Sequence, residues 1–179
     1  PLRTVRTHLT VLQRRIEDNL DDTARRSLEF ALDGAARMEN LIHDLLGYAR
    51  IGRQQLPMDD VDMNVALQDA MHNLREPIEQ AGAVIESQSL PTVRADGLLM
   101  VRLFQNLLSN ALKYRAGERR CEIHVLADRQ QDDWRFQVRD NGIGIAAQNQ
   151  ERIFMIFQRL HTSQEYSGTG IGLAICRRI

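Results

Sequence analysis

The chain has 179 residues, of which 43% are hydrophobic and 26% are charged, a composition typical of one or two globular domains. Its 23 basic and 24 acidic residues leave a net charge of -1, which excludes the strong overall field expected of a nucleic-acid-binding or membrane-surface protein. No apolar run approaches the ~20 residues that span a bilayer, and Cys121 and Cys176 lack metal-ligand spacing, so we expect a reduced, cytoplasmic setting without membrane contact.

The first 56 residues are predicted to form a helical hairpin. Apolar residues spaced alternately by three and four positions run over residues 2–16 and again over residues 24–49, which is the heptad pattern of packed helices. A polar segment separates the two stripes, and Asp21 or Asp22 is placed to cap the second helix. The pattern therefore predicts two consecutive helices joined by a short turn.

The apolar stripe of the second helix is wider than one short partner helix could cover. Four further apolar residues flank it, namely Phe30, Leu32, Leu41 and Tyr48. We therefore expect two hairpins to pack as a four-helix bundle, which would make the protein a homodimer. The alternative is an intramolecular hairpin that packs on the rest of its own chain.

A second domain is predicted after the hairpin, because glycine and proline interrupt the heptad pattern between residues 51 and 57. We place the boundary near residue 56, which gives domains 1–56 and 57–179. The second domain is predicted to begin with a strand at 58–62 and a helix that includes Leu67 and ends at Gly82, with a kink or early end at Pro77. Short strands at 83–85 and 92–93 and a strong helix at 98–114 follow. The last predicted element is a hairpin of strands 123–126 and 134–138 around a polar loop. This mixture indicates an α/β or α+β sandwich.

The helix at 98–114 carries polar and apolar residues on opposite sides. Asn106, Asn110, Lys113 and Tyr114 fall on one arc, whereas Phe104 and its apolar neighbours fall on the other. An amide oxygen is a suitable ligand for Mg²⁺, and an ammonium group one turn further on is placed to meet a phosphate. The alternative is a solvated helix face, but asparagine is a poor helix former that solvent exposure alone does not favour.

A second candidate site is the segment at 140–144, which follows the strand predicted at 134–138. A carboxylate at a strand end, here Asp140, can accept a hydrogen bond from an exocyclic amine. Gly142 and Gly144 would let the backbone approach a flat ring. The alternative is an ordinary turn after a strand.

A third candidate site is a loop with glycine at every second position, Gly168, Gly170 and Gly172, which opens into an apolar helix. Backbone N–H groups in such a loop attract anions, so phosphate is the expected ligand. The spacing differs from the dinucleotide fingerprint and from the P-loop. More than twenty residues separate this loop from the Asp140 segment, which is long enough for a mobile lid.

The order of these motifs resembles the N, G1, F and G2 boxes of two-component sensor histidine kinases, at residues 106–114, 140–144, 154–157 and 168–173. The lid sequence at 156–162 is most similar to phytochrome-type members. The resemblance implies an α+β protein whose N-terminal antiparallel helical hairpin, a four-helix bundle in the dimer, precedes an α/β sandwich ATP-binding domain of the gyrase, chaperone and histidine kinase type. It implies a histidine protein kinase that binds ATP and Mg²⁺.

The resemblance also implies individual roles. Asn110 would coordinate Mg²⁺, Asn106 would lie beside the triphosphate, and Lys113 would pair with phosphate. Tyr114 would line the nucleoside pocket, and Asp140 would accept a hydrogen bond from the adenine amino group. The remaining implied ATP-binding residues are Gly142, Gly144, Ile145, Phe157, Gly168, Thr169, Gly170, Gly172 and Leu173.

Arg159, just after the F box, would reach the γ-phosphate and stabilise charge during transfer. Thr169 and the glycines of the G2 box would cap the phosphates, and Gly142 and Gly144 would also serve as lid hinges. These roles are what the resemblance implies for this sequence.

The phospho-accepting histidine of such kinases would lie before Pro1. The five histidines here, at positions 8, 43, 72, 124 and 161, lack the acidic residue and later proline of that motif taken together. We therefore expect a fragment, truncated at both ends, of a larger receptor with an upstream sensor domain. Its phosphoryl group would pass to the receiver domain of a response regulator, and this piece alone would not autophosphorylate.

Two other hypotheses fit parts of the sequence. Another ATPase with the same nucleotide fold, such as a topoisomerase, chaperone or mismatch-repair ATPase, would lack the heptad hairpin. A dimeric module that docks response regulators without catalysis would need the hairpin but no Mg²⁺ site.

Overall fold

The structure is a computed structural model that describes residues 2–16, 21–51, 58–117, 119–160, 166 and 168–179. The domain boundary predicted near residue 56 lies outside the described residues, as do Pro1, His161 and most of the lid segment that follows it. None of the helices in the described ranges is long and apolar enough to cross a bilayer.

The N-terminal part forms the predicted pair of helices, α1 (Leu2–Ile16) and α2 (Asp22–Arg50). Asp21 is the N-cap of α2, and its carboxylate accepts a hydrogen bond from the backbone N–H of Ala24 at 2.7 Å. An ion pair of 2.8 Å joins Arg6, in the first half of α1, to Glu39, in the second half of α2. This pairing is the one expected of antiparallel neighbours.

Many large apolar residues on the described part of the hairpin are exposed. Phe30 is 70% exposed, and α1 has no buried residue. The other large apolar residues exposed on the hairpin are Val5, Val11, Leu12, Met38, Ile42, Leu45 and Leu46. Two helices alone therefore leave an apolar surface open, as the width of the stripe predicts.

The second domain is a mixed α/β sandwich, in agreement with the predicted fold class. Its elements are β1 (Asp59–Asp62), α3 (Met63–Asn73), α4 (Arg75–Ala81), β2 (Val84–Ser87), β3 (Thr92–Ala95), α5 (Gly97–Lys113), β4 (Glu122–Gln130), β5 (Asp133–Asp140), two short 3₁₀ turns (Ala147–Asn149 and Arg152–Phe154) and α6 (Gly172–Arg178). Strand β1 pairs with β3, antiparallel. In a three-stranded sheet, β4 lies between β2, which is parallel to it, and β5, which is antiparallel.

The main core lies between the helices and the three-stranded sheet. Phe104 and Leu108 of α5 pack in one cluster with Met63 of α3 and with Ile123 and Val125 of β4. Alternate residues of β4 are buried, which is the pattern of a strand with one face on the core. This packing fixes one side of α5 and leaves the opposite side free to form a site.

The predicted helix that includes Leu67 is two helices, because it breaks at Leu74 and not at Pro77. Pro77 lies in the first turn of α4, where a missing backbone N–H removes no intrahelical hydrogen bond. Gly82 ends α4 in the left-handed conformation, with φ of 56°. The predicted stop is therefore confirmed, whereas the position predicted for the kink is wrong by a few residues.

The polar stretch 128–133 was expected to be a loop, and most of it is strand. Asp128 pairs with Arg135 and Gln130 with Asp133, so the turn consists only of Gln131 and Asp132. Gln131 has a positive φ of 54°, which such a two-residue turn requires. The end of this hairpin is exposed on both faces, so its polarity reflects solvent contact and not the absence of a strand.

Candidate functional site

The candidate site is built on the exposed side of α5. Asp96 caps the helix by accepting a hydrogen bond from the backbone N–H of Leu99 at 3.0 Å. Phe104 and Leu108 anchor its buried side in the core, so that Asn106, Asn110 and Lys113 line the adjacent cavity. The amphipathic pattern of the sequence therefore predicts the orientation of this helix correctly.

A cavity of about 1010 Å³ brings the predicted motifs together, a size near the upper end of the ~300–1,000 Å³ typical of ligand sites. Every residue named from the four motifs lines it except one, and the set comprises Asn106, Asn110, Lys113, Tyr114, Asp140, Gly142, Gly144, Ile145, Arg159, Gly168, Thr169, Gly170, Gly172 and Leu173. The exception is Phe157, which does not line the cavity and is 59% exposed. Its backbone is what contacts the glycine loop, since its N–H donates to the carbonyl of Gly170 at 3.0 Å.

Asn106 has a buried amide nitrogen without a hydrogen-bond partner among the described residues. Its side-chain oxygen would lie 3.2 Å from a Cβ atom added at Gly172, so the asparagine packs closely against the first residue of α6. A buried donor without an acceptor is costly. An oxygen-rich ligand such as a phosphate would supply the missing acceptor.

The turn that carries Asp140 is held by contacts within the second domain. The backbone N–H of Gly142 donates to the Asp140 carboxylate at 2.9 Å, and the N–H of Ile143 donates to the carbonyl of Tyr114 at 3.0 Å. A Cβ atom on Gly142 would overlap that carbonyl oxygen. The sequence pointed to this glycine as a point of close approach to a ring, but its evident contact is with the end of α5.

Asn141 holds the same turn to the neighbouring strand. Its side-chain oxygen accepts from the backbone N–H of Glu122 at 3.1 Å, and its amide nitrogen donates to the carbonyl of Arg120 at 2.9 Å. The Asp140 end of the cavity is thus tied to both α5 and β4.

The glycine loop forms another part of the cavity wall. Gly168 and Gly170 have φ values of 145° and 73°, conformations that other residues rarely adopt. A Cβ atom at Gly168 would lie 2.8 Å from the ammonium nitrogen of Lys113. The loop therefore depends on glycine for its backbone shape, and the flexible Lys113 side chain lies close beside it.

Cationic and aromatic side chains cluster beside the loop. The ammonium nitrogen of Lys113 lies 4.6 Å from the ring centroid of Tyr114, whose ring is 4.9 Å from that of Tyr166. Arg159 donates from its guanidinium group to the carbonyl of Tyr166. The cavity therefore has two cationic side chains on its glycine-loop side.

Three residues of α2 that the sequence did not identify also line the cavity, namely Asn40, His43 and Asp44. The hydroxyl of Thr169 donates to the Asp44 carboxylate at 2.6 Å, and the Arg102 guanidinium lies 3.5 Å from the other oxygen of that carboxylate. The same guanidinium occupies the space that a Cβ atom on Gly47 would take. The only available signal was the width of the apolar stripe on α2, because these contacts join residues that are far apart in sequence.

An apolar contact supports this meeting of α2 and α6. Ile51 is 5% exposed and packs with Ile171 and Ile175, with Leu41 and Tyr48 at the edge. Arg178 donates to the carbonyl of Ile51 at 2.8 Å, and its guanidinium carbon lies 4.5 Å from the Tyr48 ring centroid. Leu41 and Tyr48 thus follow the alternative reading of the sequence, in which the hairpin packs on the rest of its own chain.

Cys176 lies on α6 near this contact. Burial raises the pKa of its thiol to about 11, against the opposing influence of Asn106 and Arg102. Burial likewise raises the pKa of the Cys121 thiol. Both cysteines are free thiols.

Within the described residues, no group of three or more histidine, cysteine, aspartate or glutamate side chains could hold a metal ion. A cation in the cavity would therefore take few ligands from the protein, such as the side-chain oxygen of Asn110. Mg²⁺ is commonly bound in this way, with phosphate oxygens and water completing its coordination. The donor set thus fits Mg²⁺ that arrives with a phosphate ligand.

Residues 95–179 match a family described as Histidine kinase-, DNA gyrase B-, and HSP90-like ATPase. The whole chain is 45% identical to Cyanobacterial phytochrome A of Nostoc sp. (strain PCC 7120) and 44% identical to Phytochrome-like protein Cph1 of Synechocystis sp. (strain PCC 6803). These matches cover 100% of this chain but 23% and 24% of the relatives. The chain therefore spans about a quarter of the length of these two curated relatives.

Solved structures show the same likeness. Full-length ShkA in complex with AMPPNP matches 99% of this chain with a TM-score of 0.71 and 26% identity, and 37% of that protein is covered. The catalytic domain of histidine kinase ThkA matches 68% of this chain with a TM-score of 0.57 and 26% identity, and 78% of that domain is covered.

Proposed function

Since this chain is a sensor histidine kinase catalytic core of the phytochrome-like kind, we propose that it binds Mg-ATP in the cavity beside α5. The proposed reaction transfers the γ-phosphoryl group to a histidine outside these 179 residues. The phosphoryl group then passes to an aspartate of a response regulator. The observation that carries this proposal is the convergence of three separated motifs on one cavity.

The charges around the cavity suit a nucleotide in one orientation. Asp140, at one side, would accept a hydrogen bond from the amino group of adenine. Lys113 and Arg159 lie on the glycine-loop side, where the phosphates would bind, and the free amide nitrogen of Asn106 would donate to a phosphate oxygen. ShkA was solved in complex with AMPPNP, which supports nucleotide binding by this chain.

Mg²⁺, when bound, would neutralise charge on the phosphates. Asn110 is the residue that we propose to hold it. The chain's own residues would position the nucleotide and stabilise charge. Arg159 would offset the charge that builds on the γ-phosphoryl oxygens during transfer.

The transfer itself exchanges one bond for another. A ring nitrogen of the acceptor histidine forms a bond to the γ-phosphorus, and the bond from that phosphorus to the β–γ bridging oxygen breaks. ADP leaves with the electron pair. In the second step a carboxylate oxygen of the regulator replaces the histidine nitrogen on phosphorus.

We propose that the hairpin forms a homodimer through its exposed apolar residues, which include Phe30, Met38 and Leu46. Two such surfaces packed together would bury what one hairpin leaves open. The remaining proposed partners are the receiver domain of a response regulator and an upstream sensor domain. ATP and response regulators are cytoplasmic, so we propose the cytoplasm as the location.

Calorimetric titration with ATP, with and without Mg²⁺, tests the nucleotide site. In Asp140→Asn the new amide cannot accept from both Gly142 and adenine, so we expect affinity to fall about tenfold. Asn110→Ala should abolish the advantage that Mg²⁺ confers. Matched controls are Asp133→Asn, at the exposed start of β5, and Asn73→Ala, at the exposed end of α3, and both should bind like the wild type.

Equal loss of binding in a control and in its test variant would contradict the proposed site. Robust steady-state ATP hydrolysis by the chain would favour another ATPase of this fold. Binding of a response regulator without any ATP binding would favour the docking module.

A further inference from the structure

One face of α2 is directed at the second domain and not at a partner helix. Leu41, Asp44 and Tyr48 are spaced by three and four residues, so they lie along one side of the helix, and Ile51 follows directly after its end. The apolar members pack at the cluster of Ile51, Ile171 and Ile175. Asp44 is the charged residue in this row.

Asp44 binds two residues of the second domain at once. Each carboxylate oxygen has its own partner, with the Thr169 hydroxyl at 2.6 Å on one and the Arg102 guanidinium at 3.5 Å on the other. The side chains of Asp44 and Arg102 are 29% and 25% exposed, so the pair is shielded from water more than a surface ion pair is. Asp44 also lines the cavity itself.

This contact uses a group that a nucleotide would need. A threonine hydroxyl has one hydrogen to donate, and while Asp44 accepts it no phosphate oxygen can. The carboxylate also places a negative charge, partly offset by the Arg102 guanidinium at 3.5 Å, in the wall that phosphates would approach, and like charges repel more strongly where water is partly excluded. Binding of α2 and binding of phosphate at Thr169 are therefore mutually exclusive in this geometry.

We propose that Asp44 is a latch between the hairpin and the ATP-binding domain that competes with the nucleotide's phosphates for Thr169. Docking of α2 and loading of Mg-ATP then oppose each other. By reciprocity, the factor by which docking weakens ATP binding equals the factor by which ATP weakens docking. This inference rests on the proposed function, because it takes phosphate as the ligand of the glycine loop.

Two variants separate the charge of the latch from its hydrogen bond. Asp44→Asn keeps an oxygen that can accept from Thr169 but removes the charge, whereas Asp44→Ala removes both. Asp33→Ala is the matched control, because Asp33 is exposed and lies about three turns earlier on α2. Mg-ATP affinity is measured by calorimetry, and docking is measured by amide hydrogen exchange of residues 171–179 without nucleotide.

We expect Asp44→Ala to bind Mg-ATP about 5- to 10-fold more tightly than the wild type, at the lower end of usual coupling factors of ~5–150. We expect Asp44→Asn to fall between them and Asp33→Ala to match the wild type. Exchange in residues 171–179 should rise in Asp44→Ala. In the wild type, added Mg-ATP should speed exchange across the contact of α2 with α6.

If the wild type and Asp44→Ala bind Mg-ATP with the same affinity, the latch is overturned and the proposed function stands. No binding in the wild type or in any variant would overturn both. Binding by Asp44→Ala but not by the wild type would support both, since the latch would then close the site completely. Weaker binding by Asp44→Ala would overturn the latch, because Asp44 would then assist the nucleotide.

Discussion

The two ends of the cavity are held in place by different parts of the molecule. At the Asp140 end, the turn is bonded to the end of α5 and, through Asn141, to β4. At the glycine-loop end, Thr169 is bonded to Asp44 of the hairpin, and α6 packs on Ile51. The first end therefore needs only its own domain, whereas the arrangement of the second depends on where the hairpin lies.

This contrast matters for a nucleotide, whose base and phosphates would meet the two ends separately. A preformed pocket for the base loses little freedom on binding. At the proposed phosphate site, the Thr169 hydroxyl must first be released from Asp44. The proposed nucleotide would thus meet one fixed end of the cavity and one conditional end.

The largest effect is expected from Gly142→Ala, which tests whether the Asp140 end is truly preformed. The added Cβ atom would overlap the Tyr114 carbonyl and lie 2.8 Å from the Asp140 carboxylate. Displacing this turn should cost about 3 kcal/mol or more, which is about a 100-fold loss of ATP affinity. Calorimetry measures the loss, and Gly117→Ala, where nothing lies within 4 Å of the added atom, should be silent.

A Gly142→Ala variant that binds ATP normally would show that this turn can move without harm. The distinction between a fixed end and a conditional end would then disappear.

An intermediate effect is expected from Ile51→Ala, which tests whether the glycine-loop end depends on the hairpin. Ile51 is 5% exposed and packs on Ile171 and Ile175, so its truncation should weaken docking by about 2–3 kcal/mol. Hydrogen exchange in residues 171–179 should rise, whereas exchange in β4 and β5 should not change.

The matched control for this variant is Ile42→Ala, which alters a residue of α2 that is 50% exposed. It should leave exchange in α6 unchanged. Equal exchange in the two variants would mean that α6 is stable without the hairpin.

The smallest effect concerns Cys176 and the pH dependence of stability. Its pKa is raised from the usual value of 9.0 to about 11, so the folded state holds the thiol proton more tightly than the unfolded chain does. The contribution to stability is complete below pH 9 and is lost as pH rises toward 11. We expect a loss of about 1 kcal/mol, allowing for partial exposure.

Chemical denaturation between pH 8 and 11 measures this loss as the difference between wild type and Cys176→Ala. Iodoacetamide should also react with Cys176 much more slowly at pH 8 than with the unfolded chain, in a Cys121→Ala background that leaves one thiol. Parallel pH curves for the two proteins would show that burial of Cys176 adds nothing.

The periodic spacing of apolar residues along the sequence predicted the helices correctly. The heptads located α1 and α2, and the two-sided composition of α5 placed Asn106 and Asn110 on the cavity and Phe104 in the core. Two predictions were wrong. The residues at 128–133 are polar because both faces of the hairpin are exposed to solvent, and most of them are strand. The break before α4 falls at Leu74, which is not a helix-breaking residue type.

The site was predictable where motifs follow a chain order and was hidden where it depends on distant contacts. The motif residues meet in one cavity, with Phe157 as the exception. Asp44, by contrast, sits in an ordinary helical pattern, and nothing near it in sequence points to Thr169. The extra apolar residues Leu41 and Tyr48 were the only hint of a second contact face, and the structure uses both at the contact with α6.

Gly47 limits which substitutions the contact between Asp44 and Arg102 can tolerate. It lies three residues after Asp44, on the same side of α2, and its missing side chain makes room for the Arg102 guanidinium. Any larger residue at this position would push the guanidinium away from its carboxylate partner. Positions 44, 47 and 102 are therefore expected to change together, so that in related proteins a substitution at one should be accompanied by a substitution at another.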